Sequence, residues 1–225
     1  PAGIRIDSGD ITYLSRKARK MLDEAGFPDC KICASNSLDE TIIRDMLVQG
    51  ACVDSFGVGE RLITAAPEPV FGGVYKLSGV ENPDGTITPK IKVSENVAKI
   101  TTPCFKGLWR LFDRETGKAL ADVITLHGEV IDDTQPYEIF DPDHVWKRKT
   151  LTNFRAVRLQ QKIFEGGRCL AQPRELREIQ SYCAAQVDTL WDEVKRFENP
   201  HQYYVDLSLD LWKIKNDLLE QHTAN

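Results

Sequence analysis

The sequence predicts an α/β fold, and three observations predict it. Short apolar runs alternate with helix-periodic stretches over the first sixty or so residues, Pro and Gly punctuation with brief strand-like runs follows, and the last third is dominated by helical spacing. Strand, helix, strand, helix, strand at that spacing indicates parallel βα units, either in a barrel or in an open sheet.

The first strand is the extended run Gly3 to Ile6. Asp10 or Thr12 can cap the helix that follows, in which Leu14, Ala18, Met21, Leu22 and Ala25 recur at helical spacing, and Gly26 ends it. Its basic residues Arg16, Lys17, Arg19 and Lys20 read as a solvated face. Cys30 to Ala34 reads as a buried second strand. Ser37-Leu38-Asp39-Glu40 reads as a capping box for a second helix with Leu38, Ile42, Ile43, Met46 and Leu47 inward and Gly50 at its end. A third strand, Cys52 to Phe56, runs straight into Gly57-Val58-Gly59.

After about residue 64 the texture changes. Gly73 to Leu77 and Lys90 to Val93 read as short strands of an antiparallel appendage. Trp109 to Phe112 and Ala119 to Leu126 flank Asp113-Arg114-Glu115-Thr116-Gly117-Lys118 as a hairpin, and Asp141-Pro142 marks a turn. Leu176 to Phe197 reads as one long helix with Ile179, Tyr182, Cys183, Val187, Leu190, Trp191 and Val194 on a packing face. Asn199-Pro200 breaks it, and Val205 to Leu219 reads as a last amphipathic helix. The resulting domain reading is residues 1–78 for the parallel βα segment, 79–165 for a β-rich appendage and 166–225 for a helical C-terminal region.

With 225 residues, 41% hydrophobic and 28% charged, the chain can bury one core or two small ones. A formal net charge of −5 opposes a nucleic-acid backbone or an anionic membrane, so neither is expected as a partner and any anionic ligand must be held locally. No apolar stretch approaches the ~20 residues of a bilayer span, the amino terminus lacks signal-peptide order, and a cytoplasmic location is expected. The six cysteines are irregularly spaced and read as free thiols. A chain opening on Pro1 with a strand almost at once suggests a fragment or a processed product.

Three loops follow the three strands, and in parallel βα architectures ligands gather at the carboxyl ends of strands. Asp7-Ser8-Gly9-Asp10 sets two carboxylates and a hydroxyl next to Arg5, a cluster suited to a ribose, a phosphate and an associated metal ion, although Asp7 or Asp10 can equally be a helix cap. Arg5 tips the balance, because a guanidinium in an apolar strand must leave the core or find an anion, and phosphate matches its fork of donors. In the second loop the amides, with Ser35 and Asn36, can reach a sugar hydroxyl or phosphate. In the third, Gly57 and Gly59 let the backbone approach an anion, with the amides of Glu60 and Arg61 as donors.

Ile4 to Asp10, Ala34 to Glu40, Phe56 to Leu62 and Gly72-Gly73-Val74-Tyr75-Lys76-Leu77 resemble, in order and spacing, the second half of nicotinate phosphoribosyltransferases. Ile100-Thr101-Thr102-Pro103, Trp109-Arg110-Leu111-Phe112 and Thr189-Leu190-Trp191-Asp192-Glu193 resemble the bacterial members, so the likeness spans essentially the whole chain. The resemblance implies part of a type II phosphoribosyltransferase α/β barrel. It implies that nicotinate and 5-phosphoribosyl 1-pyrophosphate become nicotinate mononucleotide and pyrophosphate, with ATP hydrolysis coupled to the step and Mg²⁺ on the pyrophosphate. Arg5 and Asp7 would then act on the phosphoribosyl and pyridine portions, with Ser8 and Asp10 nearby. Ser35 and Asn36 would line the cavity, and Gly57, Gly59, Glu60 and Arg61 would hold the 5′-phosphate. Position 60 is Glu where many relatives are expected to carry a small hydroxyl residue. No protein metal ligand is assigned. The resemblance further implies a homodimer, and it places the phosphorylated catalytic histidine upstream of Pro1. His127, His144, His201 and His222 receive no catalytic role, and no turnover is expected of these residues alone.

Rival readings rest on other features. Cys30-Lys31-Ile32-Cys33 has the spacing of a redox or zinc pair, but no second pair accompanies it. Asp141-Pro142-Asp143-His144 with Asp132-Asp133 reads as polar turns rather than a metal site. The basic run Trp146-Lys147-Arg148-Lys149 reads as an exposed face or a subunit contact. An interaction protein built on Trp191 and Trp212 fits less well than helix packing, and other pyridine phosphoribosyltransferases, for nicotinamide or quinolinate, share the same strand-end logic.

Overall fold

A computed structural model describes residues 1–70 and 72–223, so Phe71 and the last two residues of the expected C-terminal region lie outside it. The chain forms two compact units, Pro1–Val74 and Tyr75–Asn225.

In the first unit, β1 (Gly3–Ile6), β2 (Lys31–Ser35) and β3 (Ser55–Gly57) pair in parallel in that order, with Ile6 opposite Ala34 and Ser35 opposite Gly57. The parallel βα reading of the sequence therefore holds. The described residues contain this open three-stranded sheet and no closed barrel. Helix α1 (Ile11–Glu24) starts where the Asp10 carboxylate accepts the Tyr13 amide at 2.9 Å, and Gly26, at φ 84°, turns the chain out of it.

Several side-chain placements differ from the sequence expectation. Thr12 and Ser15 are the buried residues of α1, and the Ser15 hydroxyl caps the Cys52 amide, whereas Met21 is exposed. Arg19 is not on a solvated face. It reaches the carbonyls of Cys30 at 2.6 Å and Phe27 at 2.7 Å and pairs with Asp23, bracing the turn that leads into β2. Helix α2 (Glu40–Val48) is capped by Asp39, which accepts the Ile42 amide at 2.8 Å. The expected Ser37 capping box does not form, because Ser37 is itself held at φ 48°. Leu38 and Met46 are buried beneath α2, while Leu47 faces solvent. β3 begins later than expected, at Ser55; just before it the Asp54 amide donates to the Ile32 carbonyl at 2.8 Å and the Asp54 carboxylate accepts the Ile32 amide at 2.8 Å.

The second unit is built on a four-stranded sheet ordered β10 (Phe154–Arg158), β6 (Lys106–Asp113), β7 (Ala119–Leu126) and β13 (Val205–Leu207). β6 and β7 form the expected hairpin, closed through Gly117 at φ 70°. Small antiparallel pairs surround it: β4 (Gly79–Glu81) with β5 (Ile87–Pro89), β8 (Tyr137–Phe140) with β9 (Arg148–Leu151), and β11 (Phe164–Glu165) with β12 (Arg168–Cys169). Leu111, Ala121, Val123, Ile139, Leu151 and Phe154 make one core, and Cys104, Leu207 and Leu211 a second.

Four element expectations are corrected here. Gly73 to Leu77 forms no strand, and Val74 and Tyr75 are almost fully exposed. Lys90 to Val93 is likewise irregular, the actual strands lying on either side of the Asn82–Gly85 turn. The long helix stops early: a short helix, α3 (Glu60–Ile63), lies in the first unit, and the next, α4, covers Leu176–Asp188. Lys118 Nζ takes the carbonyls of Asp188 and Leu190, and the Ala119 amide takes that of Thr189, so the chain is drawn off the helix axis onto β7. Trp191 is therefore not on a helical packing face. Val205 to Leu207 is strand β13, parallel to β7, and the last helix, α5 (Leu209–Thr223), starts only after it. Apolar Leu207 and Leu211 fit either periodicity, and the sheet edge decides between them.

Candidate functional site

β1 ends by placing Arg5 and Asp7 beside the end of β2. The Arg5 guanidinium donates to Ser35 Oγ at 2.8 Å, Ser35 Oγ donates to Asp7 Oδ1 at 2.9 Å, and Arg5 pairs with Asp7 Oδ2 at 3.0 Å. Arg5 of β1, Asp7 just past its end and Ser35 of β2 thus close a polar triangle at the carboxyl edge of the sheet. Both charged members stay open to solvent, with side chains 62% and 48% exposed, so the triangle is accessible to a ligand. Its guanidinium is preset by the other two groups and keeps further N–H donors available.

Gly57, paired with Ser35 across β2 and β3, brings the third loop to the same edge. A Cβ at Gly57 would lie 3.3 Å from the Ser35 Cβ, so the close approach of the two strand ends depends on glycine. Gly59 caps α3, and its own Cβ position opens to free space. The amides of Glu60 and Arg61 begin that helix and have no carbonyl within it to bond. The Arg61 side chain is tied to Asp39, the α2 cap. That carboxyl titrates below the usual carboxylate range, first because the Ile42 amide donates to it and then because Arg61 faces it. Asn36, at φ 99°, makes the sharp turn out of β2.

A cavity of about 430 Å³ opens beside β1 and is lined by Arg5, Asp7 and Ser8 together with Lys17 and Met21 from α1. The structure thus brings Arg5, Asp7, Ser8 and Ser35 into one neighbourhood and sets Gly57 next to Ser35. Gly59, Glu60 and Arg61 follow on the adjoining loop and do not line this cavity. Asp10 serves as the cap of α1. Two contributions escaped the sequence reading. Lys17 faces the cavity although its basic neighbours suggested a solvated face, and Arg61 is held by Asp39 across 22 residues, a pairing with no local signature. Cys30 is buried and Cys33 half-buried, both as free thiols.

Parallel βα units whose strands end in polar, charged loops make the first unit an α/β sheet of the kind in which ligands gather at the carboxyl edge. Residues 105–215 match the family of nicotinate phosphoribosyltransferase C-terminal domains. The similarity extends well beyond that span. The chain is 45% identical over 213 residues to the nicotinate phosphoribosyltransferase of Bacillus subtilis (strain 168), covering 95% of this chain and 43% of that protein. It is 31% identical to the nicotinate phosphoribosyltransferase of Dictyostelium discoideum, over 96% of the chain and 38% of the relative. The chain therefore spans about two fifths of the length of these relatives. In fold it is similar to human nicotinic acid phosphoribosyltransferase, with a TM-score of 0.71 at 23% identity over 97% of this chain and 40% of that one. It is also similar to the nicotinate-nucleotide pyrophosphorylase of Pyrococcus furiosus, with a TM-score of 0.56 at 21% identity over 84% of this chain and 40% of that one. The resemblance read from the sequence holds across the chain.

Proposed function

We propose that this chain contributes the strand-end half of a nicotinate phosphoribosyltransferase site, in which nicotinate and 5-phosphoribosyl 1-pyrophosphate give nicotinate mononucleotide and pyrophosphate for NAD synthesis. The observation that carries the proposal is the triangle of Arg5, Ser35 and Asp7, which ties the ends of two parallel strands around one accessible guanidinium and one accessible carboxylate. Names of relatives up to 45% identical point the same way. The three parallel strands would form part of a type II phosphoribosyltransferase barrel, working in a cytoplasmic homodimer.

In this reaction the ring nitrogen of nicotinate supplies the electron pair for a new bond to the anomeric carbon, and the bond from that carbon to the pyrophosphate oxygen breaks. Positive charge grows on the ribose ring, and negative charge grows on the leaving group. Asp7, with Ser8 and Asp10 beside it, supports the ribose and its developing charge. Arg5 binds a phosphate or carboxylate oxygen with the N–H groups not taken by Ser35 and Asp7. Gly57, Gly59 and the amides of Glu60 and Arg61 hold the 5′-phosphate, with Ser35 and Asn36 at the cavity wall.

Mg²⁺ would be held mainly by the substrate phosphates, with Asp7 or Asp10 as the carboxylates of this edge that would complete its shell. When bound it neutralises the pyrophosphate. ATP hydrolysis accompanies the reaction, and no residue of this chain is assigned to it. The test is a competition among bases: the native polypeptide is supplied with 5-phosphoribosyl 1-pyrophosphate and equal nicotinate, nicotinamide and quinolinate. Nicotinate mononucleotide is the expected main product. A main product from either other base would assign the chain to a different pyridine phosphoribosyltransferase activity.

A further inference from the structure

A second cavity, of about 470 Å³, lies in the Tyr75–Asn225 unit, and nothing in the phosphoribosyl reading uses it. It is framed by Ala119 and Leu120 at the start of β7 and by two stretches outside helices and strands, residues 191–196 and 201–204. Hydrogen bonds tie these stretches to the sheet and to each other. Lys118 Nζ donates to the Leu190 carbonyl at 3.2 Å, the Asp122 amide to the Tyr204 carbonyl at 3.0 Å, and the His201 amide to the Glu193 carbonyl at 2.9 Å. The walls are therefore set before any ligand arrives, as small-molecule sites usually are.

Two kinds of side chain face this cavity. The first is aromatic: Trp191 and Tyr204 line it, and these large rings stay 39% and 50% exposed. The second is charged, with Lys149 of β9 and Arg196 on the wall against Glu193 as its carboxylate. Nearby cations are engaged elsewhere, Lys147 with Asp141, Arg148 with Glu138 and Lys195 with Asp192. Among the described residues Lys149 and Arg196 have no ion pair and no side-chain hydrogen bond, Lys149 meeting only the longer-range field of Asp113. An unpaired cation alone on a surface is simply solvated. These two come from separate parts of the chain to one preformed pocket that also presents bare aromatic rings.

We propose that this cavity binds a nucleoside monophosphate, with the phosphate on Arg196 and Lys149 and the base against the aromatic wall of Trp191 and Tyr204. The guanidinium fork matches two phosphate oxygens, and the lysine ammonium adds a point charge. A planar base is the body that an exposed indole or phenol ring accepts by stacking. Two cations against Glu193 leave the wall net positive, and His201 adds to it when protonated. A free phosphate satisfies only the charged half of the cavity, and an uncharged nucleoside only the aromatic half. The volume lies within the range of small-molecule sites. The site is independent of the phosphoribosyl reading, and each can fail without the other.

The test is calorimetric titration of the native polypeptide near neutral pH with adenosine 5′-monophosphate and, separately, with adenosine and with inorganic phosphate. Saturable binding of the monophosphate is expected, clearly tighter than that of either half alone. Arg196→Gln and Lys149→Gln, at exposed positions where the fold should survive, are each expected to weaken it about tenfold, the worth of a charged hydrogen bond. Trp191→Leu should weaken it severalfold, and Arg5→Ala, at the other site, should leave it unchanged. Absence of saturable binding overturns the proposal, as does adenosine binding equally well or unchanged affinity in Arg196→Gln. If Arg196→Gln does not fold, unchanged affinity in Lys149→Gln overturns it. Binding lost in Arg5→Ala but kept in Arg196→Gln would belong to the strand-end site and would also overturn it.

Discussion

Arg5→Ala separates binding from folding at the proposed site. In the folded protein Arg5 donates to Ser35 at 2.8 Å and pairs with Asp7 at 3.0 Å, but its side chain is 62% exposed and that of Asp7 48%. An exposed pair of this kind contributes at most about 1 kcal/mol to stability. The Ser35 to Asp7 bond of 2.9 Å survives the substitution, so the carboxylate keeps a partner and is not stranded. The thermal midpoint should therefore move by no more than a few degrees. Binding of 5-phosphoribosyl 1-pyrophosphate is another matter, because a charged hydrogen bond to the ligand is worth roughly 1.5–3 kcal/mol. That corresponds to about ten- to a hundredfold weaker affinity, since every 1.4 kcal/mol is about tenfold. Calorimetric titration with the ligand, paired with thermal unfolding of the same preparations, measures both quantities. Unchanged affinity would remove Arg5 from the site, and a stability loss above about 2 kcal/mol would show that the exposed-pair argument is wrong.

Further outcomes follow from the second unit. Asp122→Ala strands the largely buried Arg110 guanidinium and takes the acceptor from Tyr203, so denaturant unfolding should report a loss of about 3–5 kcal/mol. Gly107→Ala places a methyl 2.8 Å from the Thr125 hydroxyl inside the β6–β7 ladder, and overpacking of that kind should cost about 1–3 kcal/mol in the same assay. For Asp206 the folded carboxyl, at about 6, lies above its unfolded value, so the native state holds more protons between about pH 4 and 6. Its contribution is fully present below that window and is lost as pH rises through it, by on the order of 3 kcal/mol. The stability difference between Asp206→Asn and the unaltered protein, measured across pH 4 to 7, should follow that slope, and a flat difference would contradict the burial of Asp206.

The parallel βα units were legible because their signals are local. Gly26 and Gly50 end helices at positive φ, Asp10 caps α1, and Ile32 and Ala34 bury one face of the central strand. The site triangle was legible only in part. Arg5 on β1 and Asp7 just past its end stand two apart, and the sequence exposes their proximity, but the bond to Ser35 depends on the β1–β2 register. The errors share a cause in tertiary contacts that outweigh local periodicity. Leu190 and Val194 continue the α4 spacing, yet Lys118, some seventy residues earlier, takes the carbonyls that would have extended the helix. Leu207 sits at helical spacing with Leu211, yet the open edge of β7 takes Val205 to Leu207 as a strand. Asp39 displaced Ser37 as a cap because Asn36 and Ser37 both adopt positive φ, which two polar residues tolerate and no pattern announces.

The central claim is that consecutive strand ends hold one sugar phosphate between them. A crystal structure of the native polypeptide with 5-phosphoribosyl 1-pyrophosphate tests it most directly. The account predicts ribose or phosphate oxygens within hydrogen-bond distance of Arg5 and Asp7 and a phosphate on the amides that follow Gly59. A ligand seated elsewhere, with the Arg5–Ser35–Asp7 triangle unchanged and untouched, would contradict it.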